Sequence, residues 1–478
     1  MYIKYLIRSY LMKKFIYFLI TAGLISCTSV PKGTSIESPV RKTDDVKFYY
    51  DLTYKGDGEA VHESNIWPRV YEILDESEEF FILDVFLFND WVQAKEASED
   101  TYSLAEKLRD KILEKKKKDP NVDIYIILDP NNNFYGSFDN KLYKPLTDVG
   151  VKIIYVDLDH LNDPVWVYSP IWRTFIKPFG NKKNGGKIKN LIDPTAPKVT
   201  MRSLLKALNL KANHRKVIMN EKTVFLPSAN PHKEGSRHSN IAFETNGEIM
   251  NDIFKGEQEV AEFSKSKIPD HKLEIAPVFE GTYSVQYLTE GKIGKSVTDE
   301  LKNTDVGDEV LIAQFFLADR AVVKEIINAA KRGVDFKIIL NNSQSSMGMG
   351  GIPNKTASDE IMKKTYKSLG FLKIRWYNNG SEQFHTKLMI VKKQSYIIAF
   401  GGSGNFTRRN IRDFNLESEL KVVSPYNTSF SNDILSYFDR LWTNKDAAFT
   451  LDYDEAKSES NFNNLLYKII EPSGFSAF

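Results

Sequence analysis

The chain of 478 residues contains a single cysteine, Cys27. No internal disulfide can form, and neither a thiol nucleophile nor a cysteine-based metal cluster is available to the folded body. Long apolar runs are also scarce. The N-terminal stretch "MKKFIYFLITAGLISC" at 12–27 holds an apolar run of about 11 residues, too short to span a bilayer. Nor does one sign of charge dominate: 65 Lys and Arg nearly balance 63 Asp and Glu, for a net charge of +2. That balance gives no support to a broad nucleic-acid-coating surface, although it leaves room for a local basic cleft. What remains, 42% hydrophobic and 27% charged, is a globular composition with length enough for two or three domains.

Two lysines, the apolar run and small residues before Cys27 make residues 1–27 read as a targeting segment, with Met12 a more natural start than Met1. The competing reading is an amphipathic or buried N-terminal helix. "LISC" resembles a bacterial lipobox, which implies that Cys27 is lipidated and becomes the new N-terminus of a membrane-anchored envelope protein. Thr28, rather than Asp, follows it, which in a Gram-negative cell favours the outer membrane. Residues 28–45, rich in Ser, Thr, Pro and charge, read as a flexible tether.

From there two halves, 46–270 and 271–445, run through the same succession of elements. In the first, "EFFILDVFLFND" (79–90) reads as a buried strand, 101–118 as a helix, and "VDIYIILD" (122–129) and "GVKIIYVDLD" (150–159) as strands. In the second, 308–319, 320–333, 334–341 and 371–378 follow the same order. Such alternation predicts an α/β fold, a mostly parallel mixed sheet flanked by helices in each half. Lys115–Lys118 end a helix, where cations are favoured, and read as a solvated face rather than a lipid patch. The Gly/Ser-rich loop at 341–359 lacks the lysine of a phosphate-binding loop and reads as the wall of a site. The tail, 446–478, carries no functional reading.

Each half then reaches a His-x-Lys at the mouth of an apolar strand: "NHRKVIM", with His214 and Lys216, and "QFHTKLMIV", with His385 and Lys387. Side chains two apart share a strand face. After a short turn and a second strand come Ser228 and Asn230 in "PSAN", and Ser403 and Asn405 in "GGSGN". Asn240 and Asn415 lie ten residues beyond Asn230 and Asn405, and Glu244 and Glu419 fourteen beyond. One His-x-Lys would be most simply a structural histidine; two, each followed by Ser-x-Asn, are a repeated site.

"HRKVIMNEKTVFLPSAN" and "HTKLMIVKKQSYIIAFGGSGN" resemble the paired motifs of the phospholipase D superfamily, and their context resembles its bacterial phospholipase-like and cardiolipin-synthase-like members. The resemblance spans residues 47 to 445. It implies two pseudo-symmetric α/β/α domains with the active site at their interface. It also implies phosphoryl transfer through a phosphohistidine, with His214 as nucleophile, His385 as acid and base, and Lys216, Lys387, Asn230 and Asn405 on the phosphoryl oxygens. No metal or cofactor is implied. Ser228, Ser403, Asn240, Asn415 and Glu417 would support these groups, and Glu417 matches the residue that orients a motif histidine. The first half has Ala242 at that place, so His214 either lacks a carboxylate or takes one from Glu244 or elsewhere. The family's Asp is Glu221 in the first motif and Lys392 in the second, and its first Gly is Pro227.

An insertion in the first half, "PVWVYSPIWRTFIKPFG" (164–180), gathers Trp166, Tyr168, Trp172, Phe175 and Phe179 with Arg173 and Lys177. That mixture suits a membrane–water interface or substrate contact; a mini-core under a long loop is the alternative. The expected partner is a phospholipid, with the chain monomeric and nucleic acid disfavoured by charge and anchor. Three functions stay open: a phosphodiesterase or phosphatidyltransferase of glycerophospholipids, an envelope nuclease or other phosphodiesterase, and a non-catalytic phosphate-binding lipoprotein.

Overall fold

In the computed structural model of the chain, residues 30–56, 59–91, 103–190, 195–342, 353–380 and 382–456 are described, together with Lys14. Cys27, the rest of the targeting segment, the centre of the 341–359 loop and the end of the tail lie outside them. No helix among the described residues is long and apolar enough to cross a membrane.

Two mixed sheets organise the chain. The first has eight strands, in the order Ala60–Glu63, Val46–Lys55, Asn240–Thr245, Val224–Pro227, Val217–Asn220, Phe80–Val85, Asp123–Leu128 and Lys152–Tyr155. The second has nine: Arg41–Thr43, Tyr283–Thr289, Ser418–Pro425, Tyr396–Gly402, Lys387–Lys392, Glu309–Gln314, Asp335–Asn341, Leu372–Tyr377 and Thr450–Asp452. Parallel pairing is confined to three adjacent strands in each, Phe80–Val85 to Lys152–Tyr155 and Glu309–Gln314 to Leu372–Tyr377. The motif hairpins and the strands beyond them pair antiparallel, so antiparallel contacts outnumber the parallel ones expected from strand–helix alternation.

Alternating side chains divide between two cores. On the first sheet Phe81, Leu83 and Val85 meet the helices Ile66–Glu76 and Leu104–Lys118, and on the second Val310 and Ile312 meet Gly291–Lys302 and Arg320–Arg332. The opposite faces, with Phe80 and Ile82 from one sheet and Leu311 and Ala313 from the other, join a single core that also takes in helices Ile249–Phe263 and Ser429–Thr443. Strands buried on both faces have no polar side to show, which is why they read as unbroken apolar runs. The helices end as their sequences dictate. Ser103 accepts from Glu106 N at 3.1 Å and Asp319 accepts from Val322 N at 3.0 Å, while Gly333, at φ 106°, closes Arg320–Arg332. The lysine run ends the helix Leu104–Lys118, as expected, but it is not a solvated face throughout: Lys117 and Lys118 are exposed, whereas Lys115 is buried and donates to Asp75 O at 2.9 Å.

The expected tether is not free over its whole length. Arg41–Thr43 pairs with Tyr283–Val285, Glu37 bridges Leu288, and Arg41 reaches Asp252 in the first half at 2.9 Å. An edge strand is held by backbone hydrogen bonds, which leave no trace in composition. At the other end Thr450–Asp452 closes the edge of the second sheet, which therefore extends past residue 445.

The sheets approach closely at Gly401, where a Cβ would come within 2.6 Å of the fully buried Phe243 ring of the first half. Gly401→Ala is expected to destabilise the fold by about 1–3 kcal/mol through overpacking, measured by denaturant unfolding. Combining it with Phe243→Leu should cost less than the two single changes added together.

Candidate active site

The two motif strands meet at the ends of the sheets, and the meeting is reciprocal. His214 N donates to Leu416 O and His385 N to Ser239 O, each at 2.8 Å; Leu416 N and Ser239 N return bonds to Ala212 O and Gln383 O at 3.0 Å. Each motif histidine is thus docked by backbone onto the strand that begins the other half's Ser-x-Asn follow-on. These bonds make Ser239 the counterpart of Leu416, and hence Asn240 the counterpart of Glu417.

The side chains obey the same rule. His214 Nδ1 lies 2.9 Å from a carboxylate oxygen of Glu417, and His385 Nδ1 lies 3.1 Å from Asn240 Oδ1. Each ring is oriented by the opposite half. Ser403 and Asn410 donate to Glu417, and Ser228 Oγ donates to Asn240 Oδ1 at 3.0 Å. Asn240 Nδ2 donates to His238 O at 3.0 Å, which fixes the amide so that its oxygen faces His385. With Nδ1–H donated in both rings, Nε2 is the nitrogen left for chemistry.

This geometry corrects the equivalences drawn from spacing. Asn240 matches Glu417, not Asn415; the turn in the first half is two residues shorter. His214 does have a carboxylate, supplied by Glu417, while His385 is the ring with a neutral partner. Asn415 accepts from Ala212 N at 3.0 Å, and its true counterpart is His238, which accepts from Gln383 N at 3.2 Å. Glu244 pairs with Arg69 and Lys47 far from the motifs, whereas Glu419 accepts from Gly404 N beside the site.

Lys216 and Lys387 are fully buried, and each Nζ donates to the carbonyl of its own histidine, at 3.0 and 2.8 Å. Phe86 and Phe315, each just past the central strand of its sheet, lie against the rings, 5.0 Å from His214 and 4.9 Å from His385, and also flank Lys216 and Lys387. Their only signal in sequence is the parallel of "VFLF" and "QFFL", which looks like core. Asn230 accepts from Leu87 N at 3.2 Å, and the Asn405 amide oxygen is buried without a hydrogen-bond partner among the described residues. The departures from the family's Asp are absorbed. Glu221 accepts from Glu78 N at 2.9 Å and Glu79 N at 3.3 Å, and Lys392 pairs with Glu309, its cross-strand neighbour. Both hold the hairpin to the central strand.

Burial and crowding of like charge set the protonation. Burial, then Lys216, Lys387 and Arg409, push His214 well below its usual value; burial, then Lys387, His238 and Lys216, do the same to His385. Burial lowers Lys216 to about 8 and, with Lys216 beside it, takes Lys387 well below the ammonium range. Burial pushes the Glu417 carboxyl up to about 8. The arrangement is a desolvated cluster of donors with too much positive charge for its own good, which an anion would relieve. Among the described residues no group of His, Cys, Asp and Glu could hold a metal ion.

The insertion's aromatics divide. Trp172 is buried and Tyr168 donates to Leu205 O at 2.6 Å, while Trp166, Phe175 and Phe179 face outward. Arg173 and Lys177 pair with Asp163 and Asp159. Trp172 and Tyr168 thus match the mini-core reading, while Trp166, Phe175 and Phe179 are left exposed.

Residues 297–442 match a family model described as "Cardiolipin synthase, PLD-like domain". No curated protein matches the chain. Among solved structures, phosphatidylserine synthase of Haemophilus influenzae Rd KW20 aligns with a TM-score of 0.53 at 10% identity, over 95% of this chain and 96% of its own. Polyphosphate kinase from Porphyromonas gingivalis aligns at 0.44 and 9% identity, over 90% of this chain and 56% of its own. Nuc of Salmonella typhimurium, a phospholipase D family member, aligns at 0.27 and 23% identity, over 37% and 99%.

The protonation scheme has a direct check. Followed by proton NMR, both histidine rings are expected to stay neutral as pH falls through 6.5. In Lys387→Met, loss of the neighbouring charge should raise both titrations toward the ordinary value.

Proposed function

We propose that the chain is a phospholipase D-like phosphodiesterase or phosphatidyltransferase that acts on glycerophospholipids through a phosphohistidine. One observation carries the reading: two imidazoles from opposite halves face one cleft lined by lysines, and their partners differ in kind, an ionisable carboxyl behind His214 and an amide behind His385.

His214 is the nucleophile. Its Nε2 attacks phosphorus as the bond to the leaving alkoxide breaks, giving a positively charged phospho-imidazole that Glu417 offsets. His385 gives the alkoxide its proton. With Asn240 rather than a carboxylate behind it, its imidazolium is not stabilised and releases the proton readily. The bound phosphodiester supplies the negative charge that lets His385 carry that proton in the first place. In the second step His385 takes a proton from water or an alcohol, the incoming oxygen attacks phosphorus, and the P–N bond breaks. Lys216, Lys387, Asn230 and Asn405 donate to the non-bridging oxygens. Phe86 and Phe315 keep water from the reacting nitrogens.

Glycerophospholipid is favoured by the cardiolipin synthase description of the matching family model and by the lipobox-like sequence at Cys27, which would hold the chain at the bacterial cell envelope.

Phospholipid vesicles and DNA assayed in parallel, with chelator, test the reading. Lipid turnover is expected, with His385→Asn lowering the rate about 10²–10⁴-fold and His214→Asn abolishing an acid-labile phosphoenzyme. DNA cleavage without lipid turnover would overturn it. Added glycerol separates hydrolysis from transfer by the product formed. Because Lys216 is charged below about 8 and neutral above it, kcat/KM should fall as pH rises through about 8.

A further inference from the structure

We propose that the insertion at 164–180, together with residues 181–190 and 195–208, is a docking surface for an anionic phospholipid bilayer, separate from the catalytic cleft.

The exposed side chains are of the kind that enter the headgroup region. Trp166 is 62% exposed, Phe175 52% and Phe179 69%, and Met201 and Leu208 lie open beside them. Apolar groups of this size grouped on a surface mark an interaction site, whereas scattered ones need no explanation. They are grouped. Trp172 is buried and Tyr168 half-buried, whereas Phe175 and Phe179, further along the same irregular helical run, are exposed. Helix Met201–Ala207 packs against that run: Tyr168 bonds Leu205 O, and the Arg202 guanidinium sits 5.7 Å from the Phe179 ring and donates to Gly180 O at 2.9 Å.

Charge selects the partner. Between 177 and 206 there are eight Lys or Arg and a single Asp, in a chain whose net charge is only +2. Arg173 and Lys177 are already engaged by Asp163 and Asp159, but Lys182, Lys187 and Lys189 are exposed. Aromatic side chains at the level of the headgroups with long cationic chains reaching anionic lipid are the two components of interfacial binding. The surface is also rigidly fixed. Asp163 pairs with Lys211, three residues before His214, at 2.7 Å, and Asn162 donates to Asp413 O of the second half at 3.1 Å. A second exposed apolar group, Tyr366, Leu369 and Phe371, lies at the opposite end of the second sheet from the motif and provides a comparison.

The test follows amide exchange in the full chain carrying Cys27→Ser and His214→Asn, so that neither an acyl group nor turnover contributes. Phosphatidylcholine vesicles with and without phosphatidylglycerol, and single-stranded DNA, are the probes. Exchange over 164–180 is expected to slow about 10-fold or more with the anionic vesicles alone, and to stay unchanged around 366–371. Phe175→Ala with Phe179→Ala, and separately Lys182→Glu with Lys187→Glu and Lys189→Glu, should each remove that protection. In an otherwise wild-type chain the same changes should leave turnover of a soluble phosphodiester intact. Protection around 366–371 instead, protection by DNA rather than vesicles, or vesicle binding with no slowing at 164–180 would each overturn the proposal. Failure of soluble phosphodiester turnover in the wild-type chain would count against the catalytic reading and leave this one standing.

Discussion

The structure depends on one exchange: each histidine is held by the half to which it does not belong. Four backbone hydrogen bonds join the motif strands to the opposite follow-on strands, and the ring partners Glu417 and Asn240 cross the same boundary. Neither half could orient its own imidazole. The shared core, in which the inner faces of both sheets meet, is therefore what gives the site its geometry. Movement of one sheet against the other would release both rings at once.

The exchange also creates the electrostatics. Bringing two His-x-Lys pairs together in a desolvated cleft lowers Lys216 through burial and Lys387 through burial and the charge of Lys216, and burial with the neighbouring lysines lowers both histidines. Fixed donors with a depressed affinity for protons are well matched to a phosphodiester, whose single negative charge is spread over two non-bridging oxygens. Symmetry of fold does not extend to chemistry. One difference, Glu417 in one half against Asn240 at the equivalent place in the other, is enough to give the rings different partners.

Much of this was legible in the sequence, because the motifs are local. Strand mouths, hairpins and the pairing of His with Lys follow from alternation over a few residues, and the repeat shows that two such units must meet. What could not be read was anything that depends on which strand lies opposite which. Counting from Asn230 and Asn405 aligned Asn240 with Asn415, and only the cross-strand hydrogen bonds show that the turn is shorter and that Asn240 stands where Glu417 does. Phe86 and Phe315 looked like core because nothing in a run of apolar residues says which one reaches a cleft. Arg41–Thr43 was invisible for a different reason: an edge strand is held through its backbone, and its polar side chains gave no sign of pairing. Trp172 and Phe175 were distinguishable only once the direction of a short helical run was known.

That edge strand has a mechanical consequence. The chain is already folded back at Pro31, whose carbonyl takes Thr34 N at 3.1 Å, and Gly33 packs against Glu259. An acyl chain on Cys27 would then be joined to the body by four residues, a reach of about 14 Å at most. Such an anchor would act as a pivot rather than a leash, keeping that corner of the body within about 14 Å of the acyl chain.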